Sequence, residues 1–191
     1  VLVLEKMPRP GRKIMITGKG RCNFTNIKDW SDFSQHIRAN SNALRPSFYN
    51  LTPENLIDFF NDFGVESVVE RGDRAFPVSH RSMDIVDALV DAALHSGARI
   101  ETGAEVSGVR VEETDGAKSF IVETADGKAF VGSRLVIATG GLSYPTTGST
   151  GDGYRIAREL GHSIRQCFPS LTALVPEGYK LIPEGYNGEL K

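Results

Sequence analysis

Cysteine is scarce in this sequence: Cys22 and Cys167 are the only two, far apart and outside any CxxC or Cys/His ligand spacing. That excludes a disulfide-stapled scaffold and a paired-cysteine zinc site, and it suits a reducing compartment, the cytoplasm by default. Long apolar runs are missing too. No stretch approaches the roughly 20 residues that cross a bilayer, and no basic region precedes an apolar one as in a secretion signal, so neither membrane nor export is expected. Charge of one sign is also not in excess: 22 Lys plus Arg face 24 Asp plus Glu, a formal net charge of -2. No overall field draws the chain to nucleic acid, and none is expected as a partner. The histidines, His36, His80, His95 and His162, show no metal-ligand spacing, and Ser143 lies in GLSYP rather than in a GxSxG elbow. Metal and serine-nucleophile chemistry therefore lack a basis in the sequence.

What is present is an ordinary folded composition, 40 % hydrophobic and 24 % charged over 191 residues, without repeats, low-complexity tracts or a linker. VLVLE is a continuous apolar run of the kind found in a parallel strand buried on both faces. Such a strand needs neighbours, and the first residue is Val, so the expectation is a sequence that starts inside a domain. Residues 30 to 50 read as short helical pieces broken near Pro46. Thr52, Pro53 and Glu54 then predict a helix start, and Gly64 its stop. VESVVER and RAFPV read as extended, and Ser82 as the cap of a helix closed by Gly97. ARIET is a strand, followed by an antiparallel meander with Asp-Gly turns at Asp115-Gly116 and Asp126-Gly127. RLVIATGG reads as a buried strand running into a glycine turn, and Asp152 as the cap of GYRIAREL. Strand pieces and Pro-Gly turns are expected after Ser163.

Two segments carry chemistry. In GRKIMITGKGRCNFTN, glycines at 11, 18 and 20 permit tight backbone while Arg12, Lys13, Lys19 and Arg21 bring positive charge, the combination a pyrophosphate needs. It is not a Walker A loop, because Gly11 and Gly18 are too far apart and Gly20 stands where Ser or Thr must follow the lysine. Cys22 reads either as a thiolate favoured by Arg21 or as a small buried residue in a packed turn. Asn23 and Asn26 suit side-chain bonds to that turn's backbone. In ATGGLSYPTTGSTGDGYRIA, the residues Ala138, Thr139, Gly140 and Gly141 allow close backbone approach, either to a ligand or simply between a strand and a helix. Glu5, at the carboxyl end of its strand, occupies the place where dinucleotide folds bind a ribose hydroxyl pair, although a solvated strand end looks the same.

VLVLEK, GRKIMITGKGRCNFTN and ATGGLSYPTTGSTGDGYRIARELGH, in this order, resemble bacterial NAD(P)/FAD-dependent oxidoreductases of the aminoacetone oxidase-like group. The resemblance implies an α/β fold, a partial Rossmann-like FAD-binding domain with a parallel sheet, helices and an antiparallel β-meander crossover near residues 104 to 132. Residues 1-191 are then expected to be an incomplete FAD-binding domain, without the GxGxxG strand and the later inserted and closing segments. By the same likeness Glu5 binds the adenosine ribose, Lys6 lies near the adenine, and Val106 meets the adenine through its backbone. Arg12, Lys13, Gly18, Gly20, Arg21, Cys22 and Asn23 run along the cofactor toward the flavin, and Ala138 to Gly141 approach the pyrophosphate or its sugar. Arg21 and Asn23 are candidates for tuning the flavin; no residue is named as catalytic. Thr17 stands where the group usually has Ser. The implied activity is FAD-dependent redox of a small molecule, with NAD(P)H a candidate reductant. The alternatives are a flavin- or nucleotide-binding module without turnover and a flavin-dependent RNA-modifying enzyme. Oligomeric state is left open.

Overall fold

The computed structural model describes residues 1–37 and 40–169. Strand β1 (Leu2–Glu5) leads through Gly11 into helix α1 (Arg12–Ile16) and a 3-10 turn over Thr17–Gly20. Helix α1 lies inside the segment that the sequence marks by its glycines and charges. RKIMI holds no Gly or Pro and so winds up, until Gly18 and Lys19 take left-handed backbone and stop it. After β2 (Thr25–Asn26) come α2 (Trp30–Phe33) and α3 (Arg45–Asn50). Pro46 lies in the first turn of α3, where a missing N–H is harmless, so it opens that helix rather than breaking one.

Helix α4 (Pro53–Asp62) starts as its sequence predicts. Thr52 Oγ1 accepts from the Asn55 amide at 3.2 Å while the Asn55 side chain reaches back to Thr52, a reciprocal cap. Strands β3 (Ser67–Glu70) and β4 (Arg74–Pro77) follow, then α5 (Ser82–His95). Ser82 is the first residue of α5 and not its cap: its hydroxyl donates to the Met15 carbonyl at 2.8 Å, tying α5 to the end of α1.

Strand β5 (Arg99–Thr102) pairs in parallel with β1, Leu2 opposite Arg99 and Glu5 opposite Thr102. Parallel pairing demands a crossover, and everything from Lys6 to Ala98 supplies it. Within that crossover β2, β4 and β3 form a small antiparallel sheet, a pairing that was not foreseen. The expected meander is present as β6 (Val106–Thr114), β7 (Ala117–Thr124) and β8 (Ala129–Gly132), with a register shift between Val106 and Gly108. Helix α6 (Asp152–Glu159) is capped by Gly151 in left-handed backbone, with Asp152 inside the helix instead of at its cap.

The expected buried strand over RLVIATG is not formed: residues 134–140 join no ladder among the described residues, and Val136 is 85 % exposed. A strand exists only through a partner's hydrogen bonds, and an apolar sequence cannot supply that partner. The strand pieces expected after Ser163 fall largely on residues 170–191, outside the described residues.

The core joins Cys22, Phe60, Val65, Ile85 and Ala88, with Ile14, Phe24 and Leu56 packed around them. Phe24 meets Phe60 edge to face at 4.9 Å. The segment after β1 is thus fastened against α4 and α5 by its own apolar residues. The result is a partial Rossmann-like α/β fold with a parallel pair, flanking helices and a meander.

Candidate functional site

A cleft of about 500 Å³ opens between the carboxyl end of β1, the start of α1, the meander and residues 135–140. Glu5, Lys6, Arg12, Lys13, Val106, Ala138, Thr139 and Gly140 line it, so residues from both glycine-rich segments and the meander come together. Val106, Val109 and Val122 form an apolar wall, and Thr147, Gly148, Ser149 and Asp152 close the far side.

At the end of β1 the Glu5 carboxylate accepts the Met7 amide at 2.7 Å through one oxygen. Its second oxygen has no partner among the described residues. Lys6 is the hub of a polar knot. Its ammonium donates to Thr150 Oγ1 at 2.8 Å and to Asp152 Oδ2 at 3.0 Å, and pairs with Glu105 at 3.3 Å. The Asp152 hydrogen bond holds the Lys6 amine above its usual pKa against the opposing effect of burial. Burial pushes the Asp152 carboxyl up, but the bonds from Lys6 and Thr150 outweigh it and leave the group below its usual value. Lys6 thus fastens β1 to the first turn of α6, and its charge is spent within the protein.

Arg12 and Lys13 differ. Neither makes an ion pair among the described residues, and Lys13 has only a long 3.4 Å bond to Ser143 Oγ. The cleft therefore carries two uncompensated cations. Ser149 is 6 % exposed, and its hydroxyl makes no hydrogen bond to the described residues. It lies where Gly140 permits: Gly140 has φ +73, and a Cβ there would stand 2.8 Å from Ser149 Oγ. Gly153 plays a similar part for α6, since a Cβ would meet Thr139 Oγ1 at 2.5 Å.

Gly18, Gly20, Arg21, Cys22, Asn23 and Gly141 are not among the cleft's lining residues. Arg21 grips Glu70 with two bonds of 3.1 and 2.8 Å and lies 4.2 Å over the Phe76 ring. The hydrogen bonds from Arg21 hold the Glu70 carboxyl below its usual pKa, and the pair offsets the charge that the sequence offered to a flavin. The Asn23 side-chain amide faces the carbonyls of Thr25 and Ala75, acceptors that its nitrogen satisfies at 2.9 and 3.3 Å once the amide is oriented toward them. Cys22 is core: burial pushes its thiol above the ordinary pKa, partly offset by the Thr17 hydroxyl. The packed-turn alternative describes its surroundings.

Sequence reasoning missed Ser149, Thr150 and the pairing of Asp152 with Lys6. The signal available was the polar run between Gly148 and Gly151, which was read only for its glycines. No group of metal-ligating side chains occurs among the described residues.

A parallel pair ending at a carboxylate, with a glycine turn and cations that are unpaired among the described residues beside a cleft, is the arrangement by which α/β proteins hold nucleotides. The whole described chain fits this class. Residues 1–169 match the family model described as HI0933-like protein Rossmann domain, and the chain belongs to that family, of FAD-binding, oxidoreductase type. It is 31 % identical over 176 residues to the 3-dehydro-bile acid delta(4,6)-reductase of Clostridium scindens, covering 91 % of this chain and 41 % of the relative. It is likewise 31 % identical over 176 residues to the ribosomal RNA dihydrouridine synthase of Escherichia coli, covering 92 % of this chain and 41 % of the relative. The corresponding synthase of Haemophilus influenzae is 28 % identical over 180 residues, 94 % of this chain and 43 % of the relative. The chain thus spans about two fifths of the length of these curated relatives.

Proposed function

We propose that this chain forms the cofactor-holding part of an FAD-dependent oxidoreductase that adds hydrogen to an activated carbon–carbon double bond. The observation that carries the reading is the donor set of the cleft. It combines a strand-end carboxylate with an oxygen that has no partner among the described residues, two cations without acid partners among them, and an apolar wall. A dinucleotide offers the matching parts: ribose hydroxyls, phosphates and flat rings. When bound, FAD supplies the hydride chemistry that no side chain here can perform. With it bound, Glu5 would accept hydrogen bonds from ribose hydroxyls, Arg12 and Lys13 would face negative charge, and Val106, Val109 and Val122 would keep water from a ring laid against them.

The double bond enters from the relatives' names. One relative is named a delta(4,6)-reductase and two are named dihydrouridine synthases, names that each denote addition of hydrogen to an unsaturated substrate. NAD(P)H is the proposed reductant, and the cytoplasm the proposed compartment. The balanced charge favours a small-molecule substrate. An RNA substrate is the second reading, and the two synthases favour it.

The test uses the complete gene product. Purified protein is expected to be yellow, to release FAD on heating, and to bleach when NAD(P)H is added without oxygen. A colourless protein that takes up no added FAD rejects the proposal. Conjugated enones and uridine-containing ribosomal RNA are then offered to the reduced protein. Gain of two hydrogens, read by mass, identifies the substrate class.

A further inference from the structure

The small sheet of β2, β4 and β3 gathers positive charge away from the cleft. Glu70 stands opposite Arg74 and Val68 opposite Phe76, so Glu70, Arg74 and Phe76 share one face of the sheet. Arg21 and His80 reach the same ring. The Arg21 guanidinium lies 4.2 Å from the centre of the Phe76 ring, that of Arg74 6.0 Å, and the His80 ring 6.4 Å. Two guanidinium groups and an imidazole thus meet around one carboxylate. That carboxylate is already taken: both Glu70 oxygens accept from Arg21, and His80 Nδ1 stands 3.8 Å off, too far for a hydrogen bond. Nearby acids are engaged as well. Asp73 faces Lys28 at 3.5 Å, and Asp84 accepts from Ser79 and pairs with Arg81. Arg74 is left over. It makes no ion pair among the described residues, and its one side-chain bond, from Nε to the Arg71 carbonyl at 3.0 Å, leaves the terminal nitrogens without a partner among them. Both groups are held in place. Arg74 is fixed by that bond, and His80 by left-handed backbone, φ 53°, with its amide donating to the Pro77 carbonyl at 2.9 Å. A fixed guanidinium edge beside a second N–H donor suits the oxygens of a carboxylate or phosphate.

We propose that Arg74 and His80, beside Phe76, form an anion site outside the nucleotide cleft that takes the carboxylate or phosphate group of a small ligand. Arg74 donates through its terminal nitrogens and His80 through a ring N–H. Arg21, bound to Glu70, keeps that acid from competing. None of these residues lines the cleft, so the site goes beyond the nucleotide reading and stands without it.

The test uses the complete gene product with isotope-labelled histidine, titrated at constant pH with inorganic phosphate, acetate or chloride at matched ionic strength. His80→Asn, whose side chain tolerates left-handed backbone, identifies the His80 ring signal by its loss. Phosphate or acetate is expected to shift that signal to saturation, and chloride is not. The tighter of the two says which group the ligand carries. Arg74→Gln is expected to weaken the binding about tenfold, the effect of losing a charge-assisted bond, while its other histidine signals stay in place and show that it is folded. Lys13→Gln, which removes a cation of the cleft, titrates like the wild type. The site is overturned if no anion moves the His80 signal, if chloride moves it as far as phosphate and acetate do, or if Arg74→Gln binds as before. Equal losses in Lys13→Gln and Arg74→Gln overturn it too, since the anion would then act from the cleft.

Discussion

At the scale of single residues, chemistry and packing compete for the same side chains, and the structure assigns them differently from a motif reading. Cys22 is 3 % exposed and sits against Phe60 and Ile85, so its thiol stays protonated at neutral pH. A thiol reagent on the native protein is expected to label the exposed Cys167 and to reach Cys22 only after denaturation. Early labelling of Cys22 would show that the core opens. Lys6 and Asp152 give a pH prediction. Lys6 is raised in the fold, so its contribution is present below the ordinary value of 10.5 and is lost as pH rises through the folded value. Asp152 is lowered, so its contribution is present above 3.8 and is lost as pH falls through the folded value. Lys6→Met should therefore destabilise by about 1 kcal/mol at neutral pH, with the gap from wild type closing at both extremes. Melting temperatures across pH measure it, and a constant gap would mean that packing, not charge, was lost.

At the scale of elements, caps and clamps set where the site's walls stand. Thr52→Ala removes one half of a reciprocal cap and should cost about 1 kcal/mol by denaturant unfolding, since the Asn55 amide loses its acceptor. Arg155 is a clamp. Its guanidinium donates to the Val106 and Ser107 carbonyls at 3.0 and 2.9 Å, pinning α6 to the shifted end of β6 beside the cleft. Arg155→Lys cannot reproduce that fork. It should lower stability by roughly 1 kcal/mol and speed amide exchange around Val106 before the rest of the meander. Exchange that rises evenly along β6 would contradict the clamp. The capped helix α4 was legible because Thr, Pro and Glu act on their own neighbours. The absent ladder at 134–140 was not, because an apolar run says nothing about whether a partner strand lies beside it.

At the scale of the whole molecule, apolar surface is unevenly covered. Val131, in β8, is 72 % exposed, and Val136 and Leu142, between the meander and α6, are 85 % and 58 % exposed. Large apolar patches on a folded surface ordinarily meet another surface. The folded 191-residue chain should bind an apolar fluorescent dye, and replacing Val131, Val136 and Leu142 by Ser should lower the signal. An unchanged signal would mean that the dye binds elsewhere. The comparison bears on function as well, since 135–140 forms one wall of the cleft.

The sequence by itself determined the α/β class, the meander with its Asp-Gly turns, the capped helix, and the expectation that two glycine-rich segments serve one nucleotide. Each depends on local chemistry: a period of hydrophobicity, a side chain that bonds its own backbone, or a glycine that turns where others cannot. Only the tertiary structure decided which charges are free. Lys6, Arg12, Lys13 and Arg21 look alike in the chain, yet Lys6 is tied to Asp152 and Arg21 to Glu70, while Arg12 and Lys13 remain unpaired among the described residues. An ion pair joins residues distant in sequence, 146 positions apart for Lys6 and Asp152, and only the fold brings them within reach.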